Sequence, residues 1–377
     1  MKIITKLIYL LYPEKNPRIG NFLSFEDNIP CISLTSKNFD NYKKKSFDAL
    51  LVYQFTDKLF ELVKPGGFIV AEKRVDNIAF FQLKVDNYFF VRKPCDEKNT
   101  LSIRAAITWC NLALLFTEDS SIESRILVSQ VLKVNTSFLY TFPEKKLSLS
   151  EDNTLESFLR KRQQRIPISY ILQNKNFMSL PFYVNKDVLI PRPETELIVE
   201  YVIKNFKNKK IQGLDIATGS GCIAISILYY LQQAQFIASD LSFLALQVAQ
   251  KNAHKNNVQN RIYFVNGDML SPFKKAENFD IIISNPPYIS FTDYQDLQPE
   301  VKHEPQMALT AKEDGYYFYR DILQKACVYL KPGGELILEM GHLQSTKIKE
   351  MIFSPLEFKE IMKDYAGIDR VIVVKKI

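Results

Sequence analysis

From Ile211 to Phe353 the sequence keeps changing its hydrophobic rhythm. "IQGLDIA", "QFIASD", "RIYFVNGD", "FDIIISN" and "GELILEMG" are short apolar runs, while "GCIAISILYYLQQ", "LSFLALQVAQKNAHKNN", "GYYFYRDILQKACVYL" and "LQSTKIKEMIF" carry helical spacing. Runs of that length bounded by turn residues read as strands buried on both faces. Strands separated by helices cannot pair as hairpins, so the alternation predicts a parallel, doubly wound α/β sheet. Ligands of such sheets bind beyond the carboxyl ends of the strands. The residues at those ends therefore carry the functional argument.

Two further blocks precede this one. Residues 98–180 predict a helical domain: "LSIRAAITWCNLALLF", "SSIESRILVSQVLK" and "NTLESFLRKRQQR" are periodic, with Pro143 and Pro167 between them. Ser121, followed by Ser124, and Asn153 or Thr154 are the expected helix starts. Residues 1–97 contain a partial internal repeat, in which "SFDALLVYQF" then "LVKPGGFIVAEK" echoes "NFDIIISNPPY" then "YLKPGGELILEM". Tyr53, Gln54 and Phe55 stand where Asn285, Pro286 and Pro287 stand, and no glycine-rich loop lies upstream. This block reads as an α/β half domain, the tail of a nucleotide-binding fold without its binding part. The expected domains are 1–97, 98–180 and 181–377.

Composition excludes several classes. In 377 residues, 46% are hydrophobic, which supports packed cores. The net charge of +7 is a mild bias, too weak to choose between an acidic protein and RNA. Five scattered cysteines without CxxC spacing give neither a disulfide framework nor a zinc site and fit a reducing, cytoplasmic compartment. The three histidines form no ligand cluster, so no metal is expected. "MKIITKLIYLLYPEK" is interrupted by Lys6 and reads as an element of a folded domain. No run approaches the roughly 20 apolar residues of a membrane span.

The first strand end carries "LDIATGSGCIAISI". Gly219 and Gly221 let the backbone approach a ligand, and the following helix offers free N–H groups. The loop is not G-x-G-x-x-G and has no phosphate-binding lysine, which argues against a dinucleotide or a P-loop. Asp215 before it would repel phosphate but suits an ammonium group, so the loop points to S-adenosyl-L-methionine. Asp240 ends the next strand about 20 residues on, where a carboxylate accepts from ribose hydroxyls. Asp268 ends the third, placed for an adenine amine.

The fourth strand runs into "NPPYIS". Prolines cannot continue a ladder, so the strand stops and a rigid loop begins. A conjugated NH2 nitrogen is a poor methyl acceptor because its lone pair is delocalised. The Asn285 side-chain oxygen and the Pro286 carbonyl can hold its two hydrogens, aim its face at the methyl and stabilise developing charge. Tyr288 can lie against the substrate's planar group. The motif specifies a planar amino nitrogen, either a side-chain amide or a nucleobase amine.

From about Leu101 onward the chain resembles the PrmC/HemK family, the release-factor glutamine methyltransferases. The resemblance rests on "SIESRILVSQVL", "FLYTFPEKKLS", "RIPISYIL", "VLIPRPETELIVE", "DIATGSG", "NPPYI", "EPQMAL", "DGYYFYRDI" and "LILEMGH". It implies a Rossmann-like class I S-adenosylmethionine-dependent methyltransferase domain preceded by a substrate-gripping helical domain. It implies methylation of the glutamine amide in the Gly-Gly-Gln loop of peptide chain release factors. By position it assigns the cofactor loop to Ala217, Thr218, Gly219, Ser220 and Gly221, with Asp240, Asp268 and Met269, and the substrate loop to Asn285, Pro286, Pro287 and Tyr288. A monomer is expected, with nucleic acid not a substrate. Two positions depart from the family: Ala217 replaces a usual glycine and Met269 a common tryptophan, which predicts a weaker cofactor site. Residues 1–97 lie outside the family pattern.

Other segments admit plainer readings. "RKRQQR" at Arg160 to Arg165 suits an acidic partner or RNA, or simply a solvated helix face. Arg192 and Glu194 could shape the cofactor pocket with Thr195 or Glu196 at a helix start, although a helix-entry turn explains the prolines equally. "DGYYFYRDI" reads as helix packing. The rival functions are a methyltransferase for exocyclic amines of RNA or DNA, and an inactive cofactor-binding scaffold.

Overall fold

The computed structural model describes residues 100–114, 116–276 and 278–377, and ahead of these only the backbone of five strands. The N-terminal apolar segment lies outside the described residues. The chain divides into two compact units, Met1–Gln164 and Arg165–Ile377. Among the described residues no helix is long and apolar enough to cross a membrane.

The first unit opens with β1 (Ile19–Gly20), β2 (Phe47–Val52), β3 (Val63–Ala71), β4 (Phe81–Val85) and β5 (Tyr88–Arg92). They form one sheet in the order β1-β2-β3-β5-β4, with β1, β2 and β3 parallel and β5 antiparallel to both its neighbours.

Four helices follow: α1 (Ile103–Ala113), α2 (Ser120–Leu132), α3 (Thr136–Thr141) and α4 (Leu149–Gln163). The α4 helix starts ahead of Asn153 and Thr154, the expected caps. Ser148 and Glu151 form a reciprocal capping box: the Ser148 hydroxyl accepts from the Glu151 N–H and the Glu151 carboxylate from the Ser148 N–H. The S-x-x-E signal is in the sequence, four residues upstream of where the periodicity becomes clear. Likewise α2 begins at Ser120 behind Asp119 rather than at Ser121. Buried polar pairs tie the bundle together. Trp109 Nε1 donates to Glu156 at 3.1 Å, and Arg162 donates through two nitrogens to Glu123 at 2.8 and 3.1 Å. Arg162, from the basic run, is thus buried at 4% exposure rather than presented to a partner.

The second unit begins with α5 (Ile168–Leu172) and a short hairpin, β6 (Lys175–Phe177) and β7 (Leu180–Phe182). Then come α6 (Glu196–Asn205), β8 (Gln212–Ile216), α7 (Cys222–Tyr230), β9 (Gln235–Asp240), α8 (Phe243–Lys255), β10 (Ile262–Asn266) and β11 (Phe279–Ser284). They are followed by α9 (Tyr317–Ala326), β12 (Leu330–Glu339), α10 (Ser345–Glu350), β13 (Leu356–Lys363) and β14 (Asp369–Lys376). The seven-stranded sheet runs β10-β9-β8-β11-β12-β14-β13. Its first five members are parallel, as the alternation predicts, whereas β13 and β14 are an antiparallel pair at one edge. The turn between them is built by Asp364, whose carboxylate accepts from the N–H groups of Ala366 and Ile368 and from Arg370 Nε. A short Asx-type turn of this kind permits only a hairpin, never a parallel return.

Adjacent residues of the central strands serve opposite cores. Ile281 and Ile283 pack with α6 and α7 residues such as Val199, Val202, Ile223 and Ile227. Ile282, Leu214 and Ile216 pack instead with Tyr319, Ile322 and Leu323 of α9 and with Ile348 of α10. The period of two, applied to an all-apolar strand, explains why "DIIIS" needs helices on both faces.

The two sheets share a pattern. Read from one side, β1-β2-β3-β5-β4 repeats β8-β11-β12-β14-β13 in order and in every strand direction. Both also break register at one place. Pairing steps from Phe47↔Val63 to Ala49↔Phe68 in one sheet, and from Phe279↔Leu330 to Ile281↔Glu335 in the other. In each case the extra residues are the "KPGG" segment.

Candidate functional site

The loop between β8 and α7 turns because Ala217, Gly219 and Gly221 adopt left-handed φ values of 55°, 55° and 79°. Gly219 pays nothing for this. A Cβ there would meet nothing within 4 Å, so it borders open space. Ala217 holds the same conformation with a Cβ, at an inherent cost of roughly 1–2 kcal/mol. The departure noted in the sequence therefore has a structural counterpart.

Asp215 does not line the cleft. It is wholly buried, and its carboxylate accepts the Thr218 hydroxyl at 2.6 Å and the Ala224 N–H at 3.4 Å. Burial pushes its carboxyl up to about 7, opposed by the Thr218 and Ala224 donors and assisted by the charge of Asp240. Both bonds fall on Oδ2, and Oδ1 is buried with no hydrogen-bond partner. The loop folds over Asp215, and Thr218 turns inward to meet it.

Asp240 is the carboxylate at the cleft. Its Oδ2 accepts from the Gly219 N–H and its Oδ1 from the Ser242 N–H, both at 2.8 Å. Each oxygen is left with a free lone pair. Burial raises its pKa, and the two N–H groups act against that. The cleft holds about 720 Å³, part of it open to solvent, within the roughly 300–1,000 Å³ range of small-molecule sites. Ala217, Gly219, Asp240, Asp268, Met269, Asn285 and Pro287 line it. Thr218, Ser220, Gly221, Pro286 and Tyr288 do not. Thr218 is turned to Asp215, the Ser220 carbonyl accepts from Asn252 Nδ2, and Gly221 is packed against Ile225 and Ala249.

Sequence reasoning missed two walls. One is Asp187–Leu189, the other Pro305–Ala308. They are held together by Glu304, which accepts from the Ile190 N–H at 2.9 Å and from Arg192 Nη2 at 2.5 Å. Arg192 is thus a brace for the cleft wall. The signal was present in "IPRPETE" and "EPQMAL", but their pairing spans over a hundred residues and no local rule predicts it.

The asparagine loop follows β11. The buried Ser284 hydroxyl donates to the Ile216 carbonyl at 2.8 Å and ties the strand end to the cofactor-side strand. Asn285 Nδ2 donates to Thr195 Oγ1 at 3.3 Å. Among the described residues neither Asn285 Oδ1 nor the Pro286 carbonyl takes a hydrogen bond. The far end of the loop is clamped. Gln344 Nε2 donates to the Tyr288 carbonyl at 3.1 Å, and Ile289 pairs with Leu309 and Ala311 through backbone bonds. Burial, with the charge of Glu339, holds the Tyr288 phenol well above its ordinary range. In "DGYYFYRDI" Tyr319 and Ile322 are buried in packing, as read, whereas Phe318 lines the cleft. Gly315 of this segment has a further duty in the loop clamp.

Glu339, at the end of β12, was not foreseen. It is 2% exposed, and burial raises its carboxyl to about 7. Thr195 and Asn285 as donors, and the Arg370 charge, act to lower it, while Glu194 adds to the rise.

Residues 193–304 match the family model of the methyltransferase small domain, and residues 105–172 that of the PrmC N-terminal domain. A release factor glutamine methyltransferase of Clostridium acetobutylicum is 38% identical over 261 residues, covering 67% of this chain and 90% of that protein. Its counterpart in Thermodesulfovibrio yellowstonii is 38% identical over 259 residues, covering 67% and 92%. A bifunctional methyltransferase of Rickettsia bellii is 33% identical over 287 residues, covering 68% of this chain and 51% of that protein. A relative 38% identical and matched along 90% of its own length shows the family: the chain belongs to the release factor glutamine methyltransferases.

Proposed function

We propose that this protein transfers a methyl group from S-adenosyl-L-methionine to the side-chain amide nitrogen of the glutamine in the Gly-Gly-Gln loop of peptide chain release factors. One observation carries the reading. Asn285 Oδ1 and the Pro286 carbonyl are adjacent acceptors with no donor of their own. Acceptors that take no donor from the protein are free to take a ligand's, and a primary amide supplies two.

The donor, when bound, supplies an electrophilic methyl on a sulfonium. Its cleft fits on this chain's own features: the open space at Gly219 and the free lone pairs of Asp240, matched to vicinal hydroxyls. Asp268 and Met269 would border the base. Asn285 Oδ1 and the Pro286 carbonyl accept the two substrate N–H groups, which turns the face of the nitrogen toward the cleft. They favour the positive charge that develops there more than they favour the neutral amide. Prolines at 286 and 287 fix the carbonyl in place, so little reorganisation is needed. Tyr288, neutral at all working pH values, is suited to lie against the amide plane. Such a reaction belongs to the cytoplasm, where release factors act.

The test is incubation of purified protein with labelled S-adenosyl-L-methionine and, in parallel, release factor, ribosomal RNA and transfer RNA. Label on the release-factor glutamine supports the reading. Label in RNA alone replaces it with an exocyclic-amine methyltransferase, and label nowhere with a cofactor-binding scaffold.

A further inference from the structure

We infer that Phe318, in the first turn of α9, supplies the aromatic face on which the adenine of S-adenosyl-L-methionine stacks, a face that Met269 does not offer. The inference rests on the reading of the cleft as the cofactor site, and it deepens that reading by naming what holds the base.

On that reading Gly219 and Asp240 take the ribose, and Asp268 and Met269 border the base. Among the described residues the Asp268 carboxylate takes no hydrogen bond, so it is free to accept from an amine at the edge of a purine. Edge contacts alone leave the two faces of a flat base in water. Met269 covers them poorly. Its backbone turns sharply after β10, with a φ of 47°, and it packs against the core that holds Leu270, Tyr319, Ile322 and Leu323. A thioether is polarizable but narrow and flexible, and it presents no plane.

The helix α9 brings a ring to the same end of the cleft. The chain after Met269 is seated along this helix. Met269 shares a core with Tyr319, Ile322 and Leu323, and the hydroxyl of Tyr329, just past the helix, donates to the Leu270 carbonyl at 3.2 Å. Tyr319, Ile322, Leu323 and Ala326 form the buried face of α9. Phe318 stands one turn ahead of Ile322, on the flank of that face, and lines the cleft together with Asp268 and Met269. It is partly buried, neither sunk in the core nor given over to solvent. Tyr317 meets it edge-to-face, with ring centroids 5.2 Å apart and planes at 80°. Such a contact fixes the tilt of a ring and covers at most one of its faces. A purine laid on the other face removes apolar surface from water and gains the contact between rings. Phe318 and Asp268 then divide the recognition: the ring holds the plane of the base and the carboxylate reads its amine.

The experiment measures equilibrium binding of S-adenosyl-L-methionine and S-adenosylhomocysteine by calorimetry, with no release factor present. Phe318→Ala is expected to weaken both by roughly 5-fold to 100-fold, the range for losing one base–aromatic stack. Phe318→Trp, which keeps a flat ring, stays within about 3-fold of the wild type, and Phe318→Leu, which keeps apolar bulk without a ring, loses most of what alanine loses. Met269→Trp added to Phe318→Ala restores part of the affinity by supplying a plane from the neighbouring position. Thermal unfolding of the unliganded variants separates lost stacking from lost folding. Proton NMR of bound S-adenosylhomocysteine gives a signature that packing alone would not move. The adenine H2 and H8 signals lie upfield of their free positions in the wild type and return toward them in Phe318→Leu. Unchanged affinity in Phe318→Ala, an equal loss in Phe318→Trp, or base signals at the same position in wild type and Phe318→Leu overturns the inference. Wild-type protein that binds the cofactor with these shifts but leaves release factor unmethylated removes the functional reading alone.

Discussion

Gln344 donates its side-chain amide to the Tyr288 carbonyl at 3.1 Å, and its own oxygen accepts from the Gly341 N–H at 2.8 Å and the Tyr319 hydroxyl at 3.3 Å. The asparagine loop is therefore braced at both ends, by Thr195 at its start and by Gln344 at its finish. Rigidity at the ends is what lets two unpaired acceptors stay aimed between them.

Gly315 tests the brace. It sits at a φ of +91°, and a Cβ on it would stand 2.2 Å from the Tyr288 carbonyl oxygen. Gly315→Ala is expected to destabilise the fold by more than about 1–2 kcal/mol, the left-handed penalty alone, and to lower methylation further than its stability loss explains. Denaturant unfolding alongside steady-state kinetics at a temperature where both proteins are folded checks this. A variant as active and stable as the wild type would show that the loop does not need the close approach.

Asn285→Ala should reduce kcat by roughly 10²–10³, the scale of one preorganised contact to developing charge. Cofactor affinity should change little. Equilibrium binding of S-adenosyl-L-methionine by calorimetry separates the two quantities. Equal losses in both would mean that Asn285 serves the cofactor rather than the substrate.

Ala217 carries left-handed strain that glycine would not, against a gain in unfolded-chain entropy of roughly 0.5–1 kcal/mol. Ala217→Gly is accordingly expected to be neutral or to stabilise by up to about 1 kcal/mol, and to bind cofactor at least as tightly. Urea midpoints and cofactor titration measure this. A clear loss of stability would show that the loop has adapted to the methyl group.

Asp215 gives a pH dependence with a definite sign. Burial raises its folded pKa to about 7 from an ordinary value of 3.8, so the folded state binds the extra proton between those values. Stability from this group is therefore greatest near pH 4 and declines as pH rises toward 7. Asp364 and Asp369, whose ion-paired carboxyls are lowered, have the opposite dependence, lost as pH falls through the acid range. Asp215→Asn isolates the first contribution. It should stabilise by more than about 1 kcal/mol at pH 8 and by less at pH 5. The same gap at both pH values would show that Asp215 stays ionised in the fold.

Part of the cleft lining was legible before the fold was known, and for local reasons. Gly219, Asp240 and Asp268 are read from strand ends and turn chemistry, and Asn285 and Pro287 from prolines that stop a strand. All depend on neighbours within one strand–loop–helix unit. The bond of Thr195 to Asn285 and the role of Glu304 were not legible, because each joins residues far apart in sequence. That Thr218 turns inward over Asp215 was not legible either, because it depends on how the loop folds.

The sequence by itself determined the alternation of strands and helices, the left-handed turns of the cofactor loop and the abrupt end of β11, since these follow from periodicity and from what glycine and proline allow. Only the tertiary structure decided that the last two strands form an antiparallel edge, that Glu304 joins two walls of the cleft, and that Asn285 meets the Thr195 hydroxyl. Burial and hydrogen-bond polarity settle those relations, and both depend on which distant segments the sheet brings side by side.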